Sequence, residues 1–193
     1  YSSSNTNVAT VDASTGLVTI KGAGSATITA TVTDGANYTY ATKTATYTLT
    51  VNTATITYTA TGYTGTYDGK AHGGSVSVTS PSGTTVKFGT ASGTYNLTSC
   101  PTYTDYKDGG YTVYYQITAT NYTTVTGSFK ITINKRAVTA TWPSTVSFIY
   151  NGASHSVTAT IGNVVTGDSV AFTYTGTTSA TNVGNYTATI SGL

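Results

Sequence analysis

Apolar residues alternate with threonine through much of this chain, and that period of two constrains the fold more than any other feature. In residues 26–33, alanine, isoleucine and valine fall on one face and threonine falls on the other. The same alternation recurs in residues 45–51, 113–119, 127–133 and 186–190. A strand with one buried face and one solvated face has this pattern. The sequence therefore predicts an antiparallel β-sandwich.

The composition disfavours helices and favours strands. The chain contains no Glu, no Met and one Gln, whereas threonine supplies about a quarter of it and tyrosine occurs 17 times. Threonine, tyrosine, valine and isoleucine fit a pleated, half-buried surface, and the missing residues are helix formers. We expect almost no helix. The many aromatic side chains also favour a folded chain over a disordered one.

A six-residue motif occurs twice and indicates repeated modules. Tyr67–His72 (Tyr-Asp-Gly-Lys-Ala-His) recurs 83 residues later as Tyr150–His155 (Tyr-Asn-Gly-Ala-Ser-His), and strand-like runs flank both copies. A module of about 80 residues has the size of a small immunoglobulin-like sandwich. The (Asp/Asn)-Gly step is typical of a turn in which glycine takes a positive φ. We interpret these residues as structural turns: Tyr67, Asp68, Gly69, Tyr150, Asn151 and Gly152.

Residues 8–51 resemble the later half of a bacterial Ig-like group 2 domain. The resemblance rests on Val8–Asp12, on Thr15–Thr19 and on Gly22–Ala30. In order, these residues are typical of a strand, a Thr-Gly turn, a second strand, and a Gly-x-Gly turn that leads into a third strand. The two Tyr-(Asp/Asn)-Gly modules resemble the MBG/YDG-type Ig-like repeats of bacterial surface proteins. The resemblance implies tandem immunoglobulin-like β-sandwich modules at residues 1–52, 53–134 and 135–193. It also implies an extracellular location on a bacterial cell surface.

Both terminal modules read as incomplete. The first module begins without the earlier strands of its family. The last module stops after a run that matches residues 108–113 of the middle module, whereas the middle module continues with a further strand-like run at residues 126–133. An open sheet edge carries unpaired N–H and C=O groups that invite another chain. Other copies of the chain are therefore expected partners through open edges, unless the sequence is an excerpt of a longer rod.

The charged and nucleophilic residues indicate no catalytic, cofactor or metal site. Charged residues make up 7% of the chain and the net charge is +2, so a nucleic-acid partner is not expected. His72 and His155 occupy the same place in both motifs, which is typical of a structural turn, and they lack metal-ligand spacing. Cys100 reads as a small buried hydrophobe. No Asp-rich calcium loop is present, and no apolar run approaches the length of a membrane span.

The densest tyrosine cluster is the candidate binding surface. Tyrosine combines an apolar ring with a polar tip, so it suits contacts with glycans or proteins. About half of the cluster must face the core because side chains alternate along a strand. Trp142 is expected in the core of the last module. The candidate surface consists of Tyr103, Tyr106, Tyr111 and Tyr114, with host glycans or host proteins as expected partners.

Three functional hypotheses remain open. The first is a non-catalytic stalk or adhesin segment of a modular cell-surface protein. The second is the subunit of a self-assembling extracellular filament that exchanges strands, and a phage virion surface protein is a third. We interpret Lys21, Lys43 and Lys130 as solvent-facing lysines that protect sheet edges rather than as partners in a Lys–Asn isopeptide cross-link. The Asn-x-Thr sequons read as by-products of threonine-rich strands.

Overall fold

Every regular element in the described part of the chain is a β-strand. The computed structural model describes residues 1–144 and 146–192, and it contains no helix within them. In chain order the strands are β1 (Ser2–Ser3), β2 (Ala9–Val11), β3 (Val18–Ile20), β4 (Gly24–Thr31), β5 (Thr44–Val51), β6 (Thr57–Thr61), β7 (Tyr63–Thr66), β8 (Ser75–Ser80), β9 (Thr85–Gly89), β10 (Tyr111–Thr118), β11 (Val125–Asn134), β12 (Thr139–Thr141), β13 (His155–Ser156), β14 (Thr160–Gly162), β15 (Thr173–Gly176), β16 (Ser179–Ala180) and β17 (Ala188–Gly192).

The strands form several small sheets, and every pairing with a recorded register is antiparallel. The largest sheet has four strands in the order β7-β11-β10-β9, and a three-stranded sheet has the order β1-β4-β5. Five two-stranded sheets pair β2 with β3, β6 with β8, β12 with β14, β13 with β16, and β15 with β17. Many short strands in small sheets are typical of Ig-like sandwich modules. The prediction of an all-β, immunoglobulin-like fold is confirmed.

The chain divides into two compact units. The first unit consists of residues 1–63, 73–102 and 112–131, and the second consists of residues 64–72, 103–111 and 132–193. The division into these two units does not test the module boundaries predicted at residues 52 and 134, which stay a prediction.

The first unit holds nearly all of the deeply buried apolar side chains. Alternation along β10 buries Val113, Tyr115 and Ile117, which are 0, 5 and 0% exposed. On β4, Ala26 and Ile28 are buried in the same way. Because alternate residues of these strands face a core, the predicted alternation matches the structure over residues 26–31 and 113–118. Val32, which the pattern placed on the apolar face, lies beyond the end of β4 and is 42% exposed.

The run at residues 45–51 also forms a strand, but its apolar face is not buried. This strand, β5, lies at the edge of the three-stranded sheet, and Tyr47 is 53% exposed. Alternation predicts a strand and a candidate face, whereas burial depends on whether another layer covers that face.

The second unit is more loosely packed around its aromatic residues. Trp142, expected in the core, is half-buried, and its ring centroid lies 5.3 Å from that of Tyr174. Tyr174 in turn makes an edge-to-face contact with Phe172 at 5.2 Å.

Within residues 1–144 and 146–192, no helix has the length and apolar character needed to cross a membrane.

Candidate functional site

Tyr103 and Tyr111, from the predicted binding surface, lie together in the second unit. Their rings stack with centroids 3.8 Å apart and planes 12° from parallel. The Tyr111 hydroxyl donates a hydrogen bond to the Asp105 carbonyl at 3.2 Å, and the Lys107 ammonium lies 5.1 Å from the Tyr111 ring. Both tyrosines are half-buried. The stack therefore fastens the ends of the 103–111 loop, and much of both rings is used for packing.

Tyr106 is the cluster member that presents most surface. Its side chain is 44% exposed, and its hydroxyl points to Asp108 Oδ1 at 3.5 Å. The Lys135 ammonium lies 4.8 Å from the centroid of the Tyr106 ring, which is within cation–π range. An exposed aromatic ring beside a cation can contact an incoming polar ligand.

Tyr114 lies on β10 in the first unit, where its residue pairs with Gly89 of β9. It is half-buried. It is therefore placed in a different compact unit from Tyr103, Tyr106 and Tyr111.

A polar network holds the Tyr67 turn against a loop of the last predicted module. The Tyr67 hydroxyl donates a hydrogen bond to Asp168 Oδ2 at 2.7 Å, and this bond raises the pKa of Tyr67 because the neutral phenol is the donor. Arg136, the one arginine of the chain, donates from Nε to the Asn163 carbonyl at 2.8 Å and from Nη2 to Asn163 Oδ1 at 2.6 Å. Asn163 has φ +64°, and its Nδ2 donates to the Ala137 carbonyl at 2.6 Å.

These residues surround a shallow hollow. The lining residues that carry polar or aromatic groups are Tyr67, Tyr106, Lys135, Arg136, Asn163, Asp168 and Ser169. Arg136 and Asp168 are already engaged by Asn163 and Tyr67, so Lys135 and the Tyr106 ring are the groups most available to a ligand.

The two Tyr-(Asp/Asn)-Gly turns have the same internal hydrogen bonds. Asp68 Oδ1 accepts from the Lys70 N–H and contacts His72 Nε2, both at 2.9 Å. In the second copy, Asn151 Oδ1 accepts from the Ala153 N–H at 2.9 Å and lies 3.0 Å from His155 Nε2.

The two turns also share the same backbone geometry. Gly69 and Gly152 have φ values of +77° and +75°, a region that glycine enters without steric cost. The histidine of each motif then forms an antiparallel bridge, His72 with Tyr103 and His155 with Ala180. The motif is therefore an Asx turn closed by a histidine. One difference is that Tyr67 is half-buried whereas Tyr150 is 64% exposed.

The turn carboxylate is stabilised in its charged form. The hydrogen bond from His72, followed by that from the Lys70 N–H, lowers the pKa of Asp68. In the first unit, hydrogen bonds from the backbone and side chain of Thr15 lower the pKa of Asp12 in the β2–β3 turn. Both acids act locally as turn acceptors.

Arg136, Asn163 and Asp168 were not predicted as a group. The sequence signals that could have pointed to them are that Arg136 is the one arginine and that Asn tolerates positive φ.

In the described part of the chain, the titratable groups form no cluster typical of a metal centre. Within residues 1–144 and 146–192, no three His, Cys, Asp or Glu side chains gather where they could hold an ion. Cys100 is half-buried and its Sγ lies 3.4 Å from the Pro101 carbonyl oxygen; burial raises the pKa of the thiol. A raised pKa lowers the fraction of thiolate, which is the nucleophilic form.

Comparison with known families gives one match. The family model of the intimin immunoglobulin-like domain, a bacterial Ig-like family, matches residues 1–36. These residues include the whole of β1 to β4. No curated protein and no solved structure matches the chain. The N-terminal part of the chain is thus similar to a bacterial Ig-like domain.

Proposed function

We propose that this chain is a non-catalytic structural and adhesive segment of a modular bacterial cell-surface protein, where it serves as stalk and display scaffold. The observation that carries the proposal is the similarity of residues 1–36 to the intimin immunoglobulin-like domain, on a chain that is all-β throughout its described residues. The matched family is a bacterial immunoglobulin-like one, and we propose an extracellular location on the bacterial cell surface.

The finer module assignment belongs to the same proposal. Residues 1–52 are assigned to a bacterial Ig-like group 2 domain, and residues 53–134 and 135–193 to two modules of the MBG/YDG type. The identical hydrogen bonding of the Asp68 and Asn151 turns supports a common ancestry for the second and third modules.

A surface-display experiment tests the stalk function. The chain is inserted between an outer-membrane anchor and a peptide epitope, and antibody labelling of intact cells is measured before and after protease treatment. We expect the epitope to be labelled and to survive proteolysis, because a folded module hides its backbone from proteases.

The matched control is Gly62→Ala at equal export. A Cβ at residue 62 overlaps the backbone carbonyl oxygen of Lys130, so this variant should lose the epitope quickly. Equal loss from both chains would contradict a folded display scaffold.

The proposed ligand surface is tested separately. Tyr106 combines 44% exposure with a neighbouring cation, which favours contact with glycans or proteins that carry acidic groups. Binding to immobilised sialylated and neutral glycans should fall when Tyr106 is replaced by Ala. Tyr38→Ala, at a tyrosine that is 79% exposed, serves as control. If both variants bound the glycans equally well, Tyr106 would not belong to the ligand surface.

A further inference from the structure

Asn151 and Gly152 form the one Asn-Gly step in the chain. Every other asparagine is followed by a residue that carries a side chain. A bond between the Gly152 backbone nitrogen and the side-chain carbon Cγ of Asn151 would close a five-membered ring, and glycine has no Cβ to obstruct that approach. The backbone nitrogen of Gly152 is therefore a nucleophile that lies next to the side-chain amide of Asn151.

The turn directs two hydrogen-bond donors at the oxygen of this amide. Asn151 Oδ1 accepts from the Ala153 N–H at 2.9 Å and lies 3.0 Å from His155 Nε2. Because an amide oxygen only accepts hydrogen bonds, Nε2 carries the proton in this contact. Donors at such distances stabilise an oxygen that becomes negatively charged during a reaction. The Asx turn thus has the arrangement of an oxyanion hole.

The fold holds the His155 ring beside this oxygen. His155 belongs to β13, which pairs antiparallel with β16 so that His155 lies opposite Ala180. The ring of His155 also stacks on the Phe148 ring, with centroids 4.5 Å apart and planes 16° from parallel. The donor is therefore in position before any reaction begins, which is the condition under which it stabilises a developing charge most strongly.

The Gly152 nitrogen and the solvent both have access to the amide. Asn151 and Gly152 are exposed. Gly152 has φ +75°, and no atom of the described residues lies within 4 Å of the position that a Cβ would take. Within residues 1–144 and 146–192, no group accepts a hydrogen bond from the Gly152 N–H. The nitrogen is thus free to attack, and water can reach the product.

We propose that Asn151 is a site of spontaneous deamidation that its own turn promotes. The Gly152 nitrogen attacks Cγ of Asn151 and gives its proton to solvent. The electron pair of the C=O bond moves onto Oδ1, where the Ala153 and His155 N–H groups stabilise the negative charge. When the carbonyl re-forms, the Cγ–Nδ2 bond breaks and ammonia leaves with a proton from water. The product is a cyclic imide of residues 151 and 152.

Water then opens the imide at either of its two carbonyl carbons. Addition at Cγ gives aspartate at position 151, and addition at the backbone carbonyl gives isoaspartate, in which the main chain runs through Cβ and Cγ. The net reaction consumes water, releases ammonia and adds one negative charge to the turn. It needs only the folded turn and water, so it is independent of the proposed stalk function.

The two products differ in their effect on the last module. Aspartate at position 151 keeps the acceptor oxygen, and Asp68 already makes the same hydrogen bonds in the other turn. Isoaspartate lengthens the main chain by one methylene group, so it displaces His155 from its pairing with Ala180. The aspartate product therefore retains the turn, whereas the isoaspartate product disrupts it.

The corresponding turn of the middle module is expected to be inert. Asp68 accepts the same hydrogen bonds, but those from His72 and the Lys70 N–H lower the pKa of its carboxyl group. At neutral pH the group is a carboxylate, which is a poor electrophile because it already carries negative charge. The two turns thus form a matched pair, of which only the one with Asn151 should react.

Peptide mapping by mass spectrometry tests the proposal on the whole chain. The purified chain is kept at neutral pH, and the conversion of each asparagine amide to an acid is followed with time. We expect Asn151 to react before any other asparagine. In denaturing urea the turn is lost, so deamidation of Asn151 should be about tenfold slower. If Asn151 reacted equally fast or faster in urea, the turn would not promote the reaction and the proposal would be overturned.

Two substitutions of the histidine test its role. His155→Phe keeps a ring that can stack on Phe148 but removes the N–H donor, and it should slow deamidation by about tenfold or more. His155→Gln supplies a side-chain N–H donor and should recover part of the rate. Equal rates for the wild type and both variants would overturn the proposal. Because the comparison in urea uses the wild-type chain, it decides the question even if a variant folds poorly.

A third substitution transfers the reaction to the other turn. Asp68→Asn creates a second Asn-Gly step with the same two donors, from the Lys70 N–H and from His72. The asparagine introduced at position 68 should deamidate at a rate close to that of Asn151. If it persisted while Asn151 reacted, the shared hydrogen bonds would not be the cause, and the proposal would be overturned.

Discussion

The Asn121 side chain accepts, through Oδ1, a hydrogen bond of 2.9 Å from the backbone N–H of Ala23. The carbonyl of the same residue accepts from the Ala54 N–H at 2.9 Å. Asn121 has φ +69°, a conformation in which asparagine is one of the few favoured non-glycine residues. One residue of the β10–β11 loop thus fastens two distant segments of the first unit.

Replacing Asn121 by Ala should lower the free energy of unfolding by about 2 kcal/mol, because a hydrogen bond is lost and alanine is strained at positive φ. Urea unfolding followed by tyrosine fluorescence measures the change. Asn121→Asp is the matched control, since its carboxylate oxygen can still accept from Ala23, and it should lose less than half as much. An alanine variant as stable as the wild type would show that this contact does not hold the unit together.

Gly62 should tolerate no side chain. An added Cβ would overlap the Lys130 carbonyl oxygen, which is backbone and cannot turn aside, so Gly62→Ala should cost about 3 kcal/mol. At Gly35 the nearest atom to an added Cβ is the Tyr38 carbonyl oxygen at 4.0 Å, and Gly35→Ala should change stability by less than about 0.5 kcal/mol. Thermal unfolding of the two variants checks the difference, and equal melting temperatures would refute it.

Tyr115 should make the chain less stable in strong alkali. Burial, with the hydrogen bond to the Tyr58 hydroxyl at 3.4 Å, raises the pKa of Tyr115 from 10.0 to about 12. Because the folded pKa is the higher one, this stabilisation is fully present below pH 10 and is lost as the pH rises through 12. Tyr115→Phe cannot ionise, so its stability should fall less over that interval. If urea unfolding showed that the stability of both chains falls equally as the pH rises from 10 to 12, this account would be contradicted.

Asp68 should give the opposite pH dependence. Its pKa is lowered by the His72 and Lys70 hydrogen bonds, so its stabilisation is present above the unfolded value of 3.8 and is lost as the pH falls through the folded value. At neutral pH, Asp68→Ala should be destabilised, whereas Asp68→Asn should stay close to the wild type because Asn151 makes the same bonds in the other turn. The midpoints of urea unfolding at neutral and acidic pH measure the stability of each variant. In the asparagine variant, residue 68 should contribute no loss of stability at acidic pH. If the asparagine variant were as unstable as the alanine variant, the turn would depend on charge rather than on the acceptor.

Local features of this chain were predictable and distant ones were not. Alternation located β4, β10 and β11 because the side-chain period of a strand is written in the sequence. The (Asp/Asn)-Gly steps likewise mark the turns at Gly69 and Gly152, since the need for positive φ is local.

The candidate surface depended on contacts that the sequence does not encode locally. Tyr67 meets Asp168 across 101 positions of sequence, and Arg136 meets Asn163 across 27. Such pairs follow from how loops pack, so tyrosine density alone grouped Tyr114 with Tyr106 although they lie in different compact units.

Single-molecule force spectroscopy on the 193-residue chain, pulled from its two ends, tests the central claim of a structural segment most directly. The account predicts discrete force peaks, because β-sandwich modules with paired strands unfold cooperatively. It also predicts that Gly62→Ala lowers or removes the peak of the first unit and leaves another in place. A smooth extension without peaks in the wild-type chain would show that the modules bear no load, and would contradict a stalk function.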